Sequence, residues 1–328
     1  MENEKKPFVF RGPYKEYCQQ YISFKKSCGY IFTESQSYLL RHMDEYFNKD
    51  NLSKPILTKN MVECFISKRN IESEKTRHMR MSIIRQFALF MNNIGFDFYV
   101  LPYDLVPIVN TFTPYIFTHK EINDIIFVTD NLKRQAHNKF FHLVYPMLFR
   151  ILYACGLRIN EALSLKKLDI DIENGIIKIH KAKNNTSRLI PMSSSLSEYC
   201  CGYIENMKFD MNSNGYFFPT NSDQKRNRTT VYIKFKEIMK SAGIFPDGQI
   251  GPRVHDIRHT YAVHALEKMI DNGQDIYCTL PILSSYLGHR GIESTEHYLR
   301  LTKDAHNRVL DAVKPLYADV YPKEFIDE

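Results

Sequence analysis

The sequence predicts a mainly helical protein with a small antiparallel β-sheet in its second half. Apolar residues recur three to four positions apart through most of the chain, which is typical of amphipathic helices. Between residues 168 and 192 they instead alternate with polar residues around Asn174-Gly175, a strong β-hairpin signal. A proline-containing stretch at 96–113 separates a purely helical first part from an α+β second part. A chain of 328 residues is long enough for two domains with separate cores.

The first part has the pattern of four amphipathic helices with short connections, which predicts a small helical bundle. Gly29 ends the first helix, and Thr33 and Thr58 are N-cap candidates for the second and third. The fourth helix is expected at about 72–93, with a buried stripe formed by Met79, Ile83, Ile84, Phe87, Phe90 and Met91. We expect an N-terminal domain at 1–105, a linker at 106–113 and a second domain at 114–328.

The second part combines further helices with the short sheet. Thr118 and Glu121 form a capping-box pattern that starts a helix, and a strongly apolar helix at about 138–155 ends at Gly156. Strands are expected at 168–172, 176–180 and 189–192, with a polar tip before the last one. Further helices are expected at 196–208, 229–242, 256–270, 279–287, 293–300 and 302–313.

The composition narrows the class of protein. A net charge of +7 favours a polyanionic partner without establishing one. The seven cysteines show no CxxC pair and no Cys/His clustering at zinc-ligand spacing, so we expect reduced thiols and no metal. The polar N-terminus lacks a signal-peptide pattern, and no stretch approaches the roughly 18 apolar residues of a membrane span. We therefore expect a cytoplasmic protein without a membrane partner.

Three motifs far apart in the sequence hold residues suited to chemistry on a phosphate. They are Gly156-Leu157-Arg158 with Glu161, His255-Asp256-Ile257-Arg258-His259, and Leu287-Gly288-His289 followed by Tyr298. A guanidinium offers a planar fork to two phosphate oxygens, and a histidine or a lysine can transfer a proton. A tyrosine hydroxyl is a possible nucleophile.

Each group taken alone has a simpler interpretation. Arg158 and Glu161 could form an ordinary structural ion pair, and Lys183 could be a polar residue of a hairpin tip. The clustered histidines could bind metal, although the chain has no HExxH motif. Tyr298 is one of 21 tyrosines, most of which we expect to fill core or surface positions. The combination, in this order along the chain, favours phosphate chemistry.

Together the motifs resemble the tyrosine recombinases, also called the phage integrase family, over about residues 114–315. The nine-residue step from His289 to Tyr298 is that family's usual spacing. The N-terminal bundle is similar to the family's core-DNA-binding (SAM-like) domain. The resemblance therefore implies two domains that form a C-shaped clamp around double-stranded DNA.

The resemblance also implies a role for each catalytic residue. Tyr298 attacks the scissile phosphate and forms a 3′-phosphotyrosine, while Arg158 and Arg258 stabilise the charge of the transition state. Lys183, or Lys181 close by, donates a proton to the leaving 5′-oxygen, and His255 is the general base for the tyrosine. The remaining two residues assist: His289 hydrogen-bonds the phosphate and Glu161 supports the first arginine. The covalent link stores the phosphodiester energy, so neither ATP nor a metal cofactor is needed.

The implied partner is double-stranded DNA with paired recombination sites, bound by a homotetramer that is a monomer or weak oligomer when free. An accessory recombinase or a DNA-bending protein would fit the same scheme, and the resemblance favours the integrases of mobile genetic elements, active in transposition and integration. The C-terminal tail could dock on its own domain or on a neighbouring protomer. Expected DNA-backbone contacts are Lys75, Arg77, Arg80, Arg85, Lys166, Lys167, Arg188, Lys225, Arg226, Arg228, Lys234 and Arg253.

Two other functions are compatible with parts of this pattern. A nicking–closing enzyme resembling type IB topoisomerases would use the same nucleophile and relax any supercoiled DNA as a monomer. A DNA-binding regulator with a decayed active site would keep the fold without the chemistry. The complete set of catalytic residues argues against the regulator, since a decayed copy would be expected to lose at least one of them.

Overall fold

The computed structural model describes residues 9–48, 55–105, 113–180, 187–244 and 251–289, together with residues 291, 295 and 298. The chain divides into two compact units, Met1–Phe112 and Thr113–Glu328. Lys181 and Lys183 lie outside the described residues, as do the helix expected at 302–313 and most of the one expected at 293–300. The predicted mixture of helices and one small antiparallel sheet is confirmed.

The N-terminal unit contains four α-helices within its described residues. They are α1 (Lys15–Ser27), α2 (Glu34–Phe47), α3 (Lys59–Ile66) and α4 (Glu74–Asn93). The side chains of Thr33 and Thr58 accept hydrogen bonds at the starts of α2 and α3, as predicted, and Ser73 does so for α4. The core is rich in aromatic rings, and Tyr14 packs edge-on against Phe47, Phe87 and Phe98.

Two details of this unit differ from the sequence-based expectation. Met79 lies on the exposed side of α4, and Met81 and Ala88 are buried in the stripe instead. The stretch expected to be an extended connection begins with core residues, because Phe98 and Leu101 pack inside the unit. The backbone at Phe98 also pairs with Leu57. A short 3-10 turn follows at Tyr103–Leu105.

The second unit is built around a buried helix. Its described helices are α5 (His119–Asp130), α6 (Phe141–Ala154), α7 (Ile159–Ser164), α8 (Ser194–Met207), α9 (Arg228–Ser241), α10 (Val254–Asp271) and α11 (Ile276–Leu287). The predicted capping box of Thr118 and Glu121 starts α5. The strongly apolar α6 packs against α5, α8 and α10, which explains why it is apolar on nearly every side. Among the described residues, no helix is long and apolar enough to cross a membrane.

The sheet has three short antiparallel strands in sequence order. They are β1 (Ile170–Asp171), β2 (Ile176–Ile179) and β3 (Arg188–Pro191), at the predicted places, with β1 and β2 shorter than predicted and β3 shifted by one residue. Gly175 adopts a positive φ of 62° in the turn between β1 and β2, which favours glycine there. Ile177 pairs with Ile190 in the core, and Ile179 pairs with Arg188 at the end of the β2–β3 ladder. This register places Arg188 at the base of the predicted hairpin tip.

Candidate active site

Three backbone segments that are far apart in sequence meet around Arg258. One Arg258 nitrogen, Nη1, donates to the carbonyl of Gly156 at 2.8 Å, and Nη2 donates to the carbonyl of Leu287 at 2.6 Å. Arg158 Nη2 donates to the carbonyl of Gly288 at 3.1 Å. The two arginines therefore join the end of α6, the start of α10 and the end of α11 into one site.

Two glycines, Gly156 and Gly288, allow the tight turns that bring these backbone segments together. Gly156 has a φ of 57°, and a Cβ built there would lie 2.3 Å from the Tyr261 ring. Gly288 is the left-handed C-cap of α11, with a φ of 66°. A larger residue at position 156 would therefore meet both backbone strain and a steric clash. The two motif glycines thus set the backbone path of the site.

Glu161 is a buried carboxylate shared by guanidinium groups. Arg158 Nη1 lies 2.8 Å from Oε1, and the Arg158 backbone N–H donates to Oε2 at 3.0 Å. Arg188 donates from Nη1 to Oε1 at 3.1 Å and from Nη2 to Oε2 at 2.8 Å. Arg258 Nη1 lies 4.0 Å from Oε2. One negative charge thus faces three positive charges, which leaves an excess of positive charge suited to a phosphate.

The surroundings of Glu161 keep it ionised. Burial alone would raise its pKa, but the hydrogen bonds and charges of Arg188 and Arg158 outweigh burial and lower the pKa to about 2. Arg258 is buried, and desolvation together with the charge of Arg158 lowers its pKa to about 10. Arg258 is therefore still a cation at neutral pH. The Arg158 side chain is 19% exposed, against 10% for Arg188 and 2% for Arg258, so it is the most accessible of the three to a ligand.

His289 is held as a neutral ring in one orientation. Its Nε2 lies 3.1 Å from Arg258 Nη2, and its Nδ1 lies 2.9 Å from Thr295 Oγ1. Burial, followed by the charges of Arg258 and Arg158, lowers its pKa to about 4. Because a guanidinium can only donate, Nε2 must accept, and Nδ1 therefore carries the proton and donates to Thr295. Both ring nitrogens of His289 are engaged in these two bonds.

Tyr298 lies beside the two arginines and two histidines. Its side chain is only 2% exposed and packs in a small apolar cluster with residues of α10 and α11. Its hydroxyl lies 3.1 Å from Nδ1 of His259, and its ring stacks near His289 with 6.2 Å between centroids. Burial raises its pKa, although Arg258 and Arg158 act in the opposite direction. The tyrosine therefore rests in its protonated form.

His259 was not among the catalytic residues expected from the sequence. It follows Arg258 directly and lies one helical turn after His255, so the histidine pair on α10 was the signal for it. The His255 ring meets the His259 ring edge-on, with 4.8 Å between centroids. Burial, then the charge of His255, lowers the His259 pKa to about 3, so the ring is neutral at neutral pH. His255 itself lines an adjacent cleft of about 470 Å³ with Arg158 and Arg228.

The phage integrase family model matches residues 116–305, which is more than half of the chain. The chain belongs to the phage integrase family. Among similar sequences, tyrosine recombinase XerC of Chlamydia caviae is 26% identical over 306 residues, covering 89% of this chain and 90% of XerC. The motifs noted in the sequence and the residues of the geometry just described lie within the matched range.

Two solved structures have a similar fold. The XerH recombinase bound to palindromic difH in a post-cleavage complex aligns with a TM-score of 0.64 and 19% identity, covering 85% of this chain and 78% of XerH. The Tn1549 transposon integrase in complex with a circular intermediate DNA aligns with a TM-score of 0.63 and 17% identity, covering 90% of this chain and 99% of that chain. The integrase-family protein therefore has the fold of DNA recombinases that have been solved on DNA.

Of the six catalytic residues expected from the sequence, the structure brings Arg158, Arg258, His289 and Tyr298 close together through hydrogen bonds and ring contacts. His255 joins them through its contact with His259. The sixth, Lys183, lies outside the described residues. Among the described residues, no group of three His, Cys, Asp or Glu side chains is arranged to hold a metal.

Four cations expected to contact DNA are instead committed to internal contacts. Arg80 is 1% exposed, pairs with Glu72 at 2.6 Å and donates to the carbonyls of Phe65 and Ser67 at the end of α3. Arg188 holds Glu161, as described above. The other two are buried beside aromatic rings: Lys167 over Phe209, and Arg226 over Tyr145. Because their charged groups are engaged inside the protein, these four are less accessible to a DNA backbone than the exposed cations of the same set.

The remaining cations of that set lie at the surface to different degrees. The exposed ones are Lys75, Lys225, Arg228 and Arg253, and the partly buried ones are Arg77, Arg85, Lys166 and Lys234. Arg77 donates to the carbonyl of Ile66 and Lys234 pairs with Glu237. The exposed group is therefore better placed to meet a polyanion.

Proposed function

We propose that this integrase-family protein is a site-specific DNA recombinase that cleaves and rejoins DNA through a 3′-phosphotyrosine. The observation that carries the proposal is the position of the Tyr298 hydroxyl. This hydroxyl lies 3.1 Å from Nδ1 of the neutral His259. Beside it lie Arg258 and His289, which belong to the cluster with excess positive charge. A nucleophile, a proton acceptor and phosphate-binding cations thus occupy one site.

The reaction follows from these groups. The Tyr298 oxygen forms a bond to the scissile phosphorus as its proton passes to the histidine pair of α10, while the bond from phosphorus to the 5′-oxygen breaks. Arg158 and Arg258 stabilise the added negative charge on the non-bridging oxygens. His289, neutral and fixed by Arg258 and Thr295, keeps the second arginine oriented. The proton for the 5′-oxygen is assigned to Lys183 by the family resemblance. Attack by a 5′-hydroxyl of the partner duplex then reverses the step.

We infer that the substrate is double-stranded DNA carrying paired recombination sites, acted on by a homotetramer. The solved XerH and Tn1549 integrase complexes contain DNA, which supports a duplex substrate. The transposon origin of the second supports a role in integrating or excising a mobile genetic element. Exposed cations on the catalytic unit, Lys225, Arg228 and Arg253, supply backbone contacts. Such a substrate places the protein on DNA in the cytoplasm.

A covalent-trapping experiment tests the proposal. The protein is mixed with nicked duplexes covering the ends of the genetic element that encodes it, denatured, and examined for a protein–DNA adduct. We expect an adduct with the wild type and none with Tyr298→Phe. Tyr277→Phe is the matched control, because Tyr277 is an exposed tyrosine on α11 outside the site.

Other outcomes would redirect the assignment. An adduct that persists in Tyr298→Phe would show that another tyrosine is the nucleophile. Relaxation of supercoiled plasmids without any site, by a monomer, would favour a topoisomerase-like nicking–closing enzyme. Tight, specific binding with no adduct on any end sequence would favour a DNA-binding regulator.

A further inference from the structure

Arg226 is buried without the partners that the other buried arginines have. Three arginines are buried in the described part of the chain: Arg80, Arg226 and Arg258. Arg80 pairs with Glu72, and Arg258 donates to two backbone carbonyls. Arg226 is 6% exposed, and its one hydrogen bond to the described residues runs from Nη2 to Asn138 Oδ1 at 3.4 Å, which is long for such a bond. Its positive charge therefore faces no carboxylate in the described part of the second unit.

The Nε–H of Arg226 has no acceptor among the described residues, although the nitrogen is buried. The guanidinium carbon lies 5.8 Å from the centroid of the Tyr145 ring, which attracts the charge but leaves the Nε–H unpaired. Burial lowers the pKa of Arg226, so the cation is less favourable here than in water. An unpaired N–H and an uncompensated charge are both costly inside a protein, and a bound anion would relieve both.

Arg226 lines a recess of about 370 Å³ whose walls offer hydrogen-bond donors. Asn138 contributes a side-chain amide, Thr230 a hydroxyl and Lys225 an ammonium group. Lys225 donates to Ser164 Oγ at 2.5 Å, and an ammonium has three N–H bonds, so it retains donors for a ligand. No carboxylate is among the described residues that line this Arg226 recess. Its charge and its hydrogen-bonding groups both suit an anion.

The first turn of α9 forms one side of the Arg226 recess. Asn227, the N-cap of this 14-residue helix, and Thr230 in its first turn both line the recess. The side chain of Asn227 accepts a hydrogen bond from the Thr229 N–H, but other first-turn amides have no partner within a helix. A helix N-terminus carries partial positive charge and attracts oxyanions. The buried guanidinium and the helix end thus favour the same kind of ligand.

We propose that the Arg226 recess binds a small tetrahedral oxyanion such as inorganic phosphate or sulfate. A guanidinium presents its Nε–H and one Nη–H side by side to two oxygens of such an ion. A phosphodiester of DNA carries ester groups on two of its four oxygens, so the buried position of Arg226 favours the smaller free ion. None of the lining residues belongs to the catalytic cluster of Arg158, Arg258, His289 and Tyr298. The anion site is therefore additional to the proposed recombination chemistry.

The test follows the Nε–H signal of Arg226 by NMR in the full-length protein. Inorganic phosphate replaces chloride at constant ionic strength, and Arg226→Met and Arg226→Lys, which lack this N–H, assign the signal. We expect the signal to move with phosphate and to reach saturation, and sulfate to have the same effect. Phosphate can also enter the catalytic cluster, so the titration is repeated with Arg158→Gln. The Arg226 signal should respond there as it does in the wild type.

Calorimetry in the Arg158→Gln background measures the affinity of the Arg226 recess for phosphate. Adding Arg226→Met should weaken this binding by about tenfold or more, the usual effect of losing a hydrogen bond to a charged group. Arg134→Met is the matched control, because it removes an exposed cation from the loop between α5 and α6. It should change the affinity by no more than about twofold, since water and salt screen an exposed charge.

Three results would overturn the proposal. The first is an Arg226 signal that stays fixed when phosphate reaches millimolar concentration. The second is the same loss of affinity in Arg134→Met as in Arg226→Met. The third is a signal that moves with duplex DNA but not with phosphate, which would assign the recess to the DNA backbone. Thermal unfolding checks that each variant folds, and Arg226→Lys assigns the signal if Arg226→Met does not fold.

Discussion

Arg188 and Glu161 form a two-armed ion pair, with N–O distances of 3.1 and 2.8 Å, that links β3 to the start of α7. The Nε of Arg188 also donates to the carbonyl of Tyr286 at 2.9 Å, near the end of α11. Its guanidinium therefore connects the base of the β2–β3 hairpin, the carboxylate that orients Arg158, and the turn that carries His289. Arg188 was expected to contact DNA, but its guanidinium instead holds these three segments together.

Replacing Arg188 should weaken both the fold and the chemistry. Arg188→Gln leaves Glu161 with less compensation in a buried site, so we expect the free energy of unfolding to fall by about 3 kcal/mol. Cleavage should fall as well, because Arg158 loses part of its support. Chemical denaturation and the adduct assay measure the two effects. Lys120→Gln, which breaks the exposed pair with Asp124, should leave both unchanged; equal effects for the two variants would contradict a special role for Arg188.

The ionisation of Glu161 predicts a particular dependence of stability on pH. Its folded-state pKa is lowered from 4.5 to about 2, so its stabilising contribution is complete above pH 4.5 and is lost as the pH falls toward 2. The contribution at neutral pH is about 3 kcal/mol by linkage. We expect the stability difference between the wild type and Glu161→Gln to shrink between pH 5 and pH 2. A difference that stays constant over this range would exclude the carboxylate as the source.

Arg258 is expected to need its guanidinium and not only its charge. Arg258→Lys keeps the cation but cannot donate to Gly156 and Leu287 while also facing His289. Cleavage should fall by about 10²–10³-fold, the usual effect of losing one donor to a developing oxyanion. Arg150→Lys breaks a two-armed pair with Asp130 in the same unit, away from the site, and should leave cleavage unchanged.

Arg226 and Arg228 are close in sequence but should have different roles, one in packing and the other in DNA contact. Arg228 is exposed and lines the cleft beside Arg158, whereas Arg226 is buried. Arg228→Ala should weaken binding to all duplexes and reduce the slope of log affinity against log salt by about 1. Arg226→Ala should lower stability and leave that slope unchanged. Binding titrations at several salt concentrations, together with thermal unfolding, would decide; a smaller slope for Arg226→Ala would reverse the assignment.

Gly156 should be far less tolerant of alanine than other glycines with a positive φ. Its Cβ would lie 2.3 Å from the Tyr261 ring, whereas a Cβ at Gly243 or Gly273 would meet nothing within 4 Å. Gly243→Ala and Gly273→Ala should each cost about 1 kcal/mol of backbone strain. Gly156→Ala should cost about 3 kcal/mol, since overpacking adds to that strain, and it should reduce cleavage. Similar losses at all three positions would show that the Tyr261 contact yields easily.

Local signals in the sequence predicted the elements well, because caps and turns depend on adjacent residues. Thr33, Thr58 and Thr118 start helices, and Asn174-Gly175 forms the turn of the sheet. Burial was harder to predict from periodicity: Met79 was expected in the core and is exposed, because the helix presents a neighbouring stripe. The sequence also could not show which arginines are buried, since charge and spacing are the same for a phosphate contact and for an internal ion pair.

The same limit applies to the site. The motifs and their resemblance to the integrase family predicted that Arg158, Arg258, His289 and Tyr298 lie together, and the structure brings them close through contacts between distant segments. Spacing alone could not show that His259 contacts Tyr298, because His255 and His259, four residues apart, share a helix face. That contact depends on how Tyr298 packs against α10.

The three guanidiniums around Glu161 repel one another at close range, and the single carboxylate offsets only part of that repulsion. Desolvation and mutual repulsion lower the pKa of Arg258, which shows that this cation is less stable in the site than in water. A phosphate that enters the site relieves the repulsion, so substrate binding and local folding stability become thermodynamically linked. If the proposed function holds, a phosphodiester bound beside these guanidiniums should therefore also stabilise the fold.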